Sequence, residues 1–223
     1  MKILKYYFFF LALFYAPATF SQKKISELTI VYNYTLSNTS STDPTQGSPI
    51  LNAINTIYIK ANMSRSEITS SMFSSATIYD AKSGSAVVLR EVSGQKLLIR
   101  MTPENWQDKN KRYEGIHFNN VQESKIIAGY KCDKAVATTS DGFTISVYYT
   151  KDLVPENKDY DVQFKSLNGL PLEYELTKGS LQIKYVLASI NLNPVPASKF
   201  DIPKSGYREM SYEESKKLNI EKS

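Results

Sequence analysis

Apolar residues recur at every second position along most of the chain, punctuated by Gly, Asn and Asp. In SELTIVYNYTL, Leu28, Ile30, Tyr32, Tyr34 and Leu36 fall on one side, while Glu27, Thr29, Asn33 and Thr35 take the other. That alternation predicts a strand with one buried face, because successive side chains of an extended backbone point in opposite directions. The same reading places strands in 55–62, 65–80, 115–124, 125–140, 143–150, 169–176 and 180–190. The polar stretch 37–49 reads as a loop that a short helical turn over 50–55 closes. Lys82-Ser83-Gly84 and Ser93-Gly94-Gln95 separate three apolar runs at the spacing of an antiparallel meander. Asp141-Gly142 and Thr177-Lys178-Gly179 predict two further hairpins.

Helix signals are few. Thr102-Pro103-Glu104 combines a cap residue with proline at the first helical position, and the segment to Arg112 is polar, so a short exposed helix is expected. Ser211 and Glu214 have capping-box spacing for a terminal helix, and the prolines of NPVPASKFDIP keep that stretch extended. Residues 151–168 read as irregular. The expected fold is mainly β (α+β), a curved antiparallel sheet or half-barrel of about nine to eleven strands with two or three short helices.

The first residues follow another pattern. Lys2 and Lys5 precede an apolar run from Tyr6 to Tyr15, followed by Pro17, Ala18, Thr19 and Ser21. This is the layout of a secretory leader, with cleavage expected between Ser21 and Gln22. The run falls short of the ~20 residues that span a bilayer. An exported protein, periplasmic or secreted and not integral to a membrane, is therefore expected, with one domain over 22–223. Removing the leader takes two lysines and no acid, lowering the formal charge of +5 to +3. So small and dispersed a charge argues against a nucleic-acid partner.

Residues suited to covalent chemistry are scarce. Cys132 is the sole cysteine and His117 the sole histidine. No G-x-S-x-G motif or phosphate-cradling Gly loop is present, and one His with one Cys cannot build a usual zinc site. Glu173 and Glu175 share the solvent side of a strand. Cys132 lies in a strand among Ile126, Ile127, Ala135 and Val136, which suits a small buried hydrophobe, the alternatives being an intermolecular disulfide or a nucleophile. No catalytic residue, metal or cofactor is expected.

An apolar sheet face must be covered by helices, another sheet or a ligand. The predicted helices are too short to roof ten strands, so the sheet either fills its own core or keeps an apolar hollow. The inward positions that would line a hollow are Ile30, Tyr32, Ile57, Ile59, Leu97, Ile99, Ile145, Val147, Leu172, Tyr174, Ile183 and Tyr185.

IYIKANMSRSEI (57–68), TIYDAKSGSAVVL (77–89), KIIAGYKCDKAV (125–136), ISVYYTKDL (145–153), GLPLEYEL (169–176) and FDIPKSGYREMSYEE (200–214) occur in this order. The series resembles a family of small exported Bacteroidota proteins related to the GLPGLI proteins. Its fold is similar to the LolA- and LppX-like periplasmic lipoprotein carriers. G-Y-K-C (129–132) and the ending Phe200, Ile202, Pro203, Tyr207 are its most specific pieces. The resemblance implies a half-barrel with a partly open apolar concavity, and Arg65 is the match to an arginine that the carriers place near the pocket mouth. It departs from the GLPGLI pattern at Leu170-Pro171-Leu172, where that family continues Leu-Pro-Gly. The expected role is a monomeric, non-catalytic carrier for a lipid, a lipidated protein's acyl chain or another apolar ligand. The alternative is an envelope interaction module with a filled core.

Overall fold

The structure is a computed structural model that describes residues 23–38 and 49–220. The expected leader and most of the expected loop over 37–49 lie outside the described residues. The first half of the chain supplies β1 (Lys23–Ile25), β2 (Glu27–Asn38), β3 (Pro49–Lys60), β4 (Met63–Thr69), β5 (Phe73–Asp80), β6 (Ser85–Val92) and β7 (Gln95–Met101). After helix α1 (Pro103–Asn110) come β8 (Asn119–Ile127), β9 (Tyr130–Thr138), β10 (Thr144–Thr150), β11 (Leu153–Pro155), β12 (Leu170–Lys178) and β13 (Leu181–Asn191). Strand β14 (Arg208–Met210) and helix α2 (Tyr212–Ile220) complete the described elements, apart from short 3-10 turns.

Twelve strands form one sheet in the order β14-β7-β6-β5-β4-β3-β2-β13-β12-β10-β9-β8, and β1 pairs separately with β11. The two edge strands, β14 and β8, do not meet, so the sheet is curved but not closed into a barrel. Its curvature shows in the side chains. Tyr32 on β2 and Tyr174 on β12 have β13 between them, a separation of about 9.6 Å in a flat sheet. Their rings nevertheless meet edge to face at 5.6 Å. The face they share is the inner one.

The mainly β class is as expected, and the strand count is higher than nine to eleven. Part of the excess is β1, β11 and β14, each three residues long and too short to display a period. The helical turn expected over 50–55 is instead the start of β3. Asn55 sits on the inner face with Ala53 and Ile57, and its Nδ2 donates to Ser66 Oγ at 3.0 Å and to the Glu67 carbonyl at 3.2 Å. Pairing with β2 and β4 overrides the local signal. The break expected at 124/125 moves to a hairpin at Ala128-Gly129, where φ is +49° and +84°. Such a turn needs two left-handed residues, and Ala at the first conceals it from a search for Asn-Gly or Asp-Gly.

Three apolar clusters hold the sheet. The largest covers the inner face of β2, β3, β9, β10 and β12. It is capped by Phe164 and Leu167 from the segment after β11 and by Ile116 from the segment after α1, all buried. Ser166 Oγ donates to the Ile116 carbonyl at 3.1 Å and ties these two covers together. The second cluster joins Ala86, Val88, Ile99 and Met101 of β6 and β7 to Met210 and Tyr212. Tyr212 Oη and Lys216 Nζ both donate to Asp108 Oδ2, at 2.9 and 2.8 Å, which locks α2 to α1. The third lies on the outer face of β5–β7, under Phe200 and Tyr207. Irregular segments therefore do the roofing that an inventory of helices leaves undone.

Candidate functional site

The strand register shows where the inner face stays uncovered. One row across the sheet runs Ile30, Ile57, Ser66, Thr77, Val88, Ile99. The next runs Leu28, Ile59, Ser64, Tyr79, Ala86, Met101. Both rows are apolar at their ends, where the first and second clusters sit, and small or hydroxyl-bearing over β4 and β5. A side chain as short as Ser cannot fill the space up to the covering segments, and Ser64, Ser66 and Thr77 line a chamber of about 150 Å³; beside it, over Tyr79, a groove of about 480 Å³ opens.

Each wall has a local origin. Helix α1 begins at Thr102, whose Oγ1 accepts from Asn105 N at 3.3 Å while Asn105 Oδ1 accepts from Thr102 N at 3.3 Å. Pro103 takes the first helical position and approaches the β5–β6 turn at Gly84, whose φ is +72°. One turn later, Trp106 stacks on Tyr79 with ring centroids 4.9 Å apart. Asn110 Nδ2 donates to the Trp106 carbonyl at 2.8 Å and closes the helix end. Tyr113 and Ile116 continue this side of the groove. The other side is built by 3-10 turns at Lys158–Tyr160 and Val162–Phe164. Asn157 Oδ1 accepts from Asp159 N and Asp161 Oδ1 from Gln163 N, both at 3.1 Å, so each turn has its own side-chain cap. Lys111, Glu114, His117 and the Lys165–Asp159 ion pair (2.6 Å) supply polar groups around the groove.

Behind Trp106 the groove continues into a narrower chamber of about 150 Å³. The two share Tyr79, Trp106, Asn110 and Val162, and the chamber adds Ile57, Ser64, Ser66, Thr77, Tyr160 and Asp161. Trp106 Nε1 is buried and meets no acceptor among the described residues. Asp161 is partly buried and makes no ion pair among the described residues; burial raises its carboxyl to about 6 against the lowering effect of the Gln163 N–H. A third cavity of about 330 Å³ lies between α1, α2 and the inner face of β6–β7.

The structure distributes the expected lining residues unevenly. Ile30, Tyr32, Ile57, Ile59, Ile145, Val147, Leu172, Tyr174, Ile183 and Tyr185 all belong to the first cluster or pack against it. Leu97 and Ile99 belong with the second. Ile57 borders the chamber and Ile99 the cavity beneath α2. Tyr32, Tyr174 and Tyr185 form a contact set, with Tyr174 and Tyr185 stacked at 4.3 Å. Tyr32 Oη donates to the Pro171 carbonyl at 2.8 Å, and burial pushes all three hydroxyls far above their ordinary ionisation range. Arg65 stands on the outer face, away from the groove. Its Nε meets Glu67 Oε1 at 2.5 Å and its Nη1 donates to the Lys199 carbonyl at 2.9 Å. The alternation of β4 puts it there, because Arg65 lies between inward Ser64 and Ser66.

Trp106, Tyr79, Tyr113 and Val162 of the groove, and Asp161 of the chamber, are residues that the strand pattern does not single out. A sole tryptophan on an otherwise polar helix is the one signal that points to them. Cys132 is fully buried, its thiol raised to about 11 chiefly by burial, and it packs in the first cluster out of reach of a partner's thiol. His117 is exposed beside the groove. Among the described residues, no group of three or more His, Cys, Asp or Glu is placed to hold a metal, and no helix is long and apolar enough to cross a membrane.

No family model matches the chain, and no curated protein does. Among solved structures it is similar to PNGF-II, with a TM-score of 0.49, 17% identity, and coverage of 85% of this chain and 33% of that one. The chain thus spans about a third of the length of PNGF-II. An uncharacterized conserved protein from Thermus thermophilus follows at a TM-score of 0.47 and 9% identity, covering 82% of this chain and 90% of that one. MucB, solved in complex with MucA(peri), is similar at a TM-score of 0.37 and 13% identity, over 80% of this chain and 54% of that one. All three fall below a TM-score of 0.5.

Proposed function

We propose that the protein is an exported, non-catalytic binding protein, and that the groove between α1 and the 158–166 segment holds the apolar chain of a lipid, an acyl group or a similar elongated ligand. The observation that carries this reading is the interruption of the inner face. Two apolar clusters flank a groove with Pro103, Trp106, Tyr113, Ile116 and Val162 in its walls. Its volume lies in the range of small-molecule sites, and its composition, mostly apolar with a few polar groups, is theirs too. Cys132 is ill placed to act as a nucleophile, since its thiol is buried and burial raises it to about 11. Trp106 is the only tryptophan, so its fluorescence reports on this groove alone. Titration with dodecyl-chain amphiphiles below their micelle concentrations is expected to shift that emission saturably, and mass spectrometry of natively purified protein to show a copurified lipid. Flat emission together with protein free of lipid would sink the reading.

A second reading is an envelope interaction module. It draws on the filled first cluster and on the free edge strand β8, where Val121 is 43% and Ile126 77% exposed. It predicts a silent Trp106 titration and a crosslinked protein partner that Ile126→Glu abolishes.

A further inference from the structure

The strand register turns one charged side chain toward the apolar side of the sheet. Ser75, Arg90 and Leu97 form a row across β5, β6 and β7, next to the row of Thr77, Val88 and Ile99. Among the described residues, Arg90 is the only charged one at an inward position of β2–β7. Turning a guanidinium inward is costly unless polar or negative groups meet it. Arg90 is half-buried and lines the cavity of about 330 Å³ beneath α1 and α2. Helix α1 separates this cavity from the groove, giving Trp106, Gln107 and Asn110 to the groove and Asp108 and Lys109 to the cavity. The cavity lining divides in two. Val88, Ile99 and Met101 make an apolar floor, while Arg90, Lys109 and Lys216 stand with a single carboxylate, Asp108. That carboxylate is already engaged, since Lys216 Nζ and Tyr212 Oη donate to its Oδ2 at 2.8 and 2.9 Å. Ser215 Oγ is spent on the Tyr212 carbonyl at 2.7 Å. The lining thus carries more positive than negative charge. Lys109 registers it: removal from water, then the charges of Arg90 and Arg112, hold its ammonium below the ordinary value.

We propose that this cavity is a ligand site separate from the groove, for a small soluble phosphomonoester. Its phosphate lies between Arg90 and Lys109, and its compact apolar body rests on Val88, Ile99 and Met101. A phosphomonoester carries close to two negative charges at neutral pH, which answers one cation from the strand and one from the helix. The guanidinium fork has five N–H donors, so it serves two phosphate oxygens whatever neighbour it also meets. A neutral guest leaves both cations unanswered, and an ammonium is repelled by them. Size selects the body. The cavity is about 330 Å³, roughly twice the ~150 Å³ that holds benzene. A bare oxyanion leaves much of that space empty over an apolar floor, whereas a ring with a phosphate fills it. The site is independent of the groove reading.

The test compares phenyl phosphate, inorganic phosphate and benzyl alcohol by the rise in melting temperature that each gives at low salt. Phenyl phosphate is expected to raise it saturably, inorganic phosphate to act with about tenfold lower affinity, and benzyl alcohol to have no effect. Lys109 is exposed on α1, so Lys109→Gln keeps the fold, and it is expected to weaken phenyl phosphate about tenfold. Arg90→Lys keeps the charge but loses the fork and is expected to weaken it about fivefold. Lys131→Gln removes one charge from exposed β9, near the opposite edge of the sheet, and is expected to leave the affinity within about twofold. No saturable rise with phenyl phosphate, or a rise that Lys109→Gln and Arg90→Lys both leave intact, overturns the site. An equal loss in Lys131→Gln does the same, because it marks a general charge effect. Inorganic phosphate binding as tightly as phenyl phosphate overturns the organic body. Retention on vesicles containing phosphatidic acid that Lys109→Gln abolishes overturns the soluble ligand in favour of a lipid head group.

Discussion

Two stretches of one sheet face behave in opposite ways. Over β2, β12 and β10 the inner face carries Tyr32, Leu172, Tyr174, Ile145 and Val147, and Phe164 closes over it, its ring 4.7 Å from that of Tyr174. Over β4 and β5 the same face carries Ser64, Ser66 and Thr77, and the covering segments stand off it. Alternation alone would rank the first stretch as the better hollow, since it is the more apolar. The structure shows that apolar side chains attract a cover from the chain itself, while small polar ones leave room. A half-barrel's cavity is thus set by where its strands stop being greasy.

The largest test of that contrast is Phe164→Ala. Removing the ring that closes the first stretch is expected to cost about 3–5 kcal/mol in urea unfolding, as deletion of a fully packed aromatic does. A loss under about 1 kcal/mol would mean that this stretch too is open.

Asp161→Asn probes the second stretch with a smaller effect of opposite sign. The folded carboxyl titrates at about 6, above the ~3.9 of an unfolded chain. Above pH 6 the folded state must hold a charge that burial disfavours, so the parent loses stability as pH rises through about 6, and below about pH 4 both states are protonated and nothing is lost. The variant is expected to be more stable by about 1–2 kcal/mol at pH 8, an advantage that fades on acidification. The titratable side chains that couple to Asp161 are tyrosines kept neutral by burial, among them Tyr32 and Tyr160, so they do not titrate in this window. Melting temperatures at three pH values suffice, and a pH-independent difference would refute the assignment.

The smallest effect is expected at Arg65. On the outer face, with Glu67 and the Lys199 carbonyl as partners, Arg65→Ala should cost about 0.5–1 kcal/mol and leave the Trp106 titration unchanged. An altered titration would place this arginine in communication with the groove.

Period-two patterning shows most of the sheet in advance, because each strand buries one face and the period survives wherever pairing is long. It also puts all twelve inward positions on one face, from Ile30 to Tyr185. Thr102 and Ser211 announce their helices because their caps are local. The groove is hidden for the converse reason. Its walls are a polar helix and two 3-10 turns in the stretch that reads as irregular, and their position depends on contacts such as Ser166 with Ile116, 50 residues apart. Arg65 illustrates the limit of matching by residue type: one step along β4 decides which side of the sheet it serves.

The position of β2 has a consequence for how the molecule is made. It lies mid-sheet between β3 and β13, and Ile30 pairs with Ile190, 160 residues later. During synthesis β3 to β7 can assemble on one flank of β2 by local hairpins, but its other flank keeps bare amides and carbonyls until β13 emerges. Such high contact order slows folding and leaves a sticky edge on the nascent chain. The seam in the middle of the sheet is therefore one that cannot close until most of the chain is present.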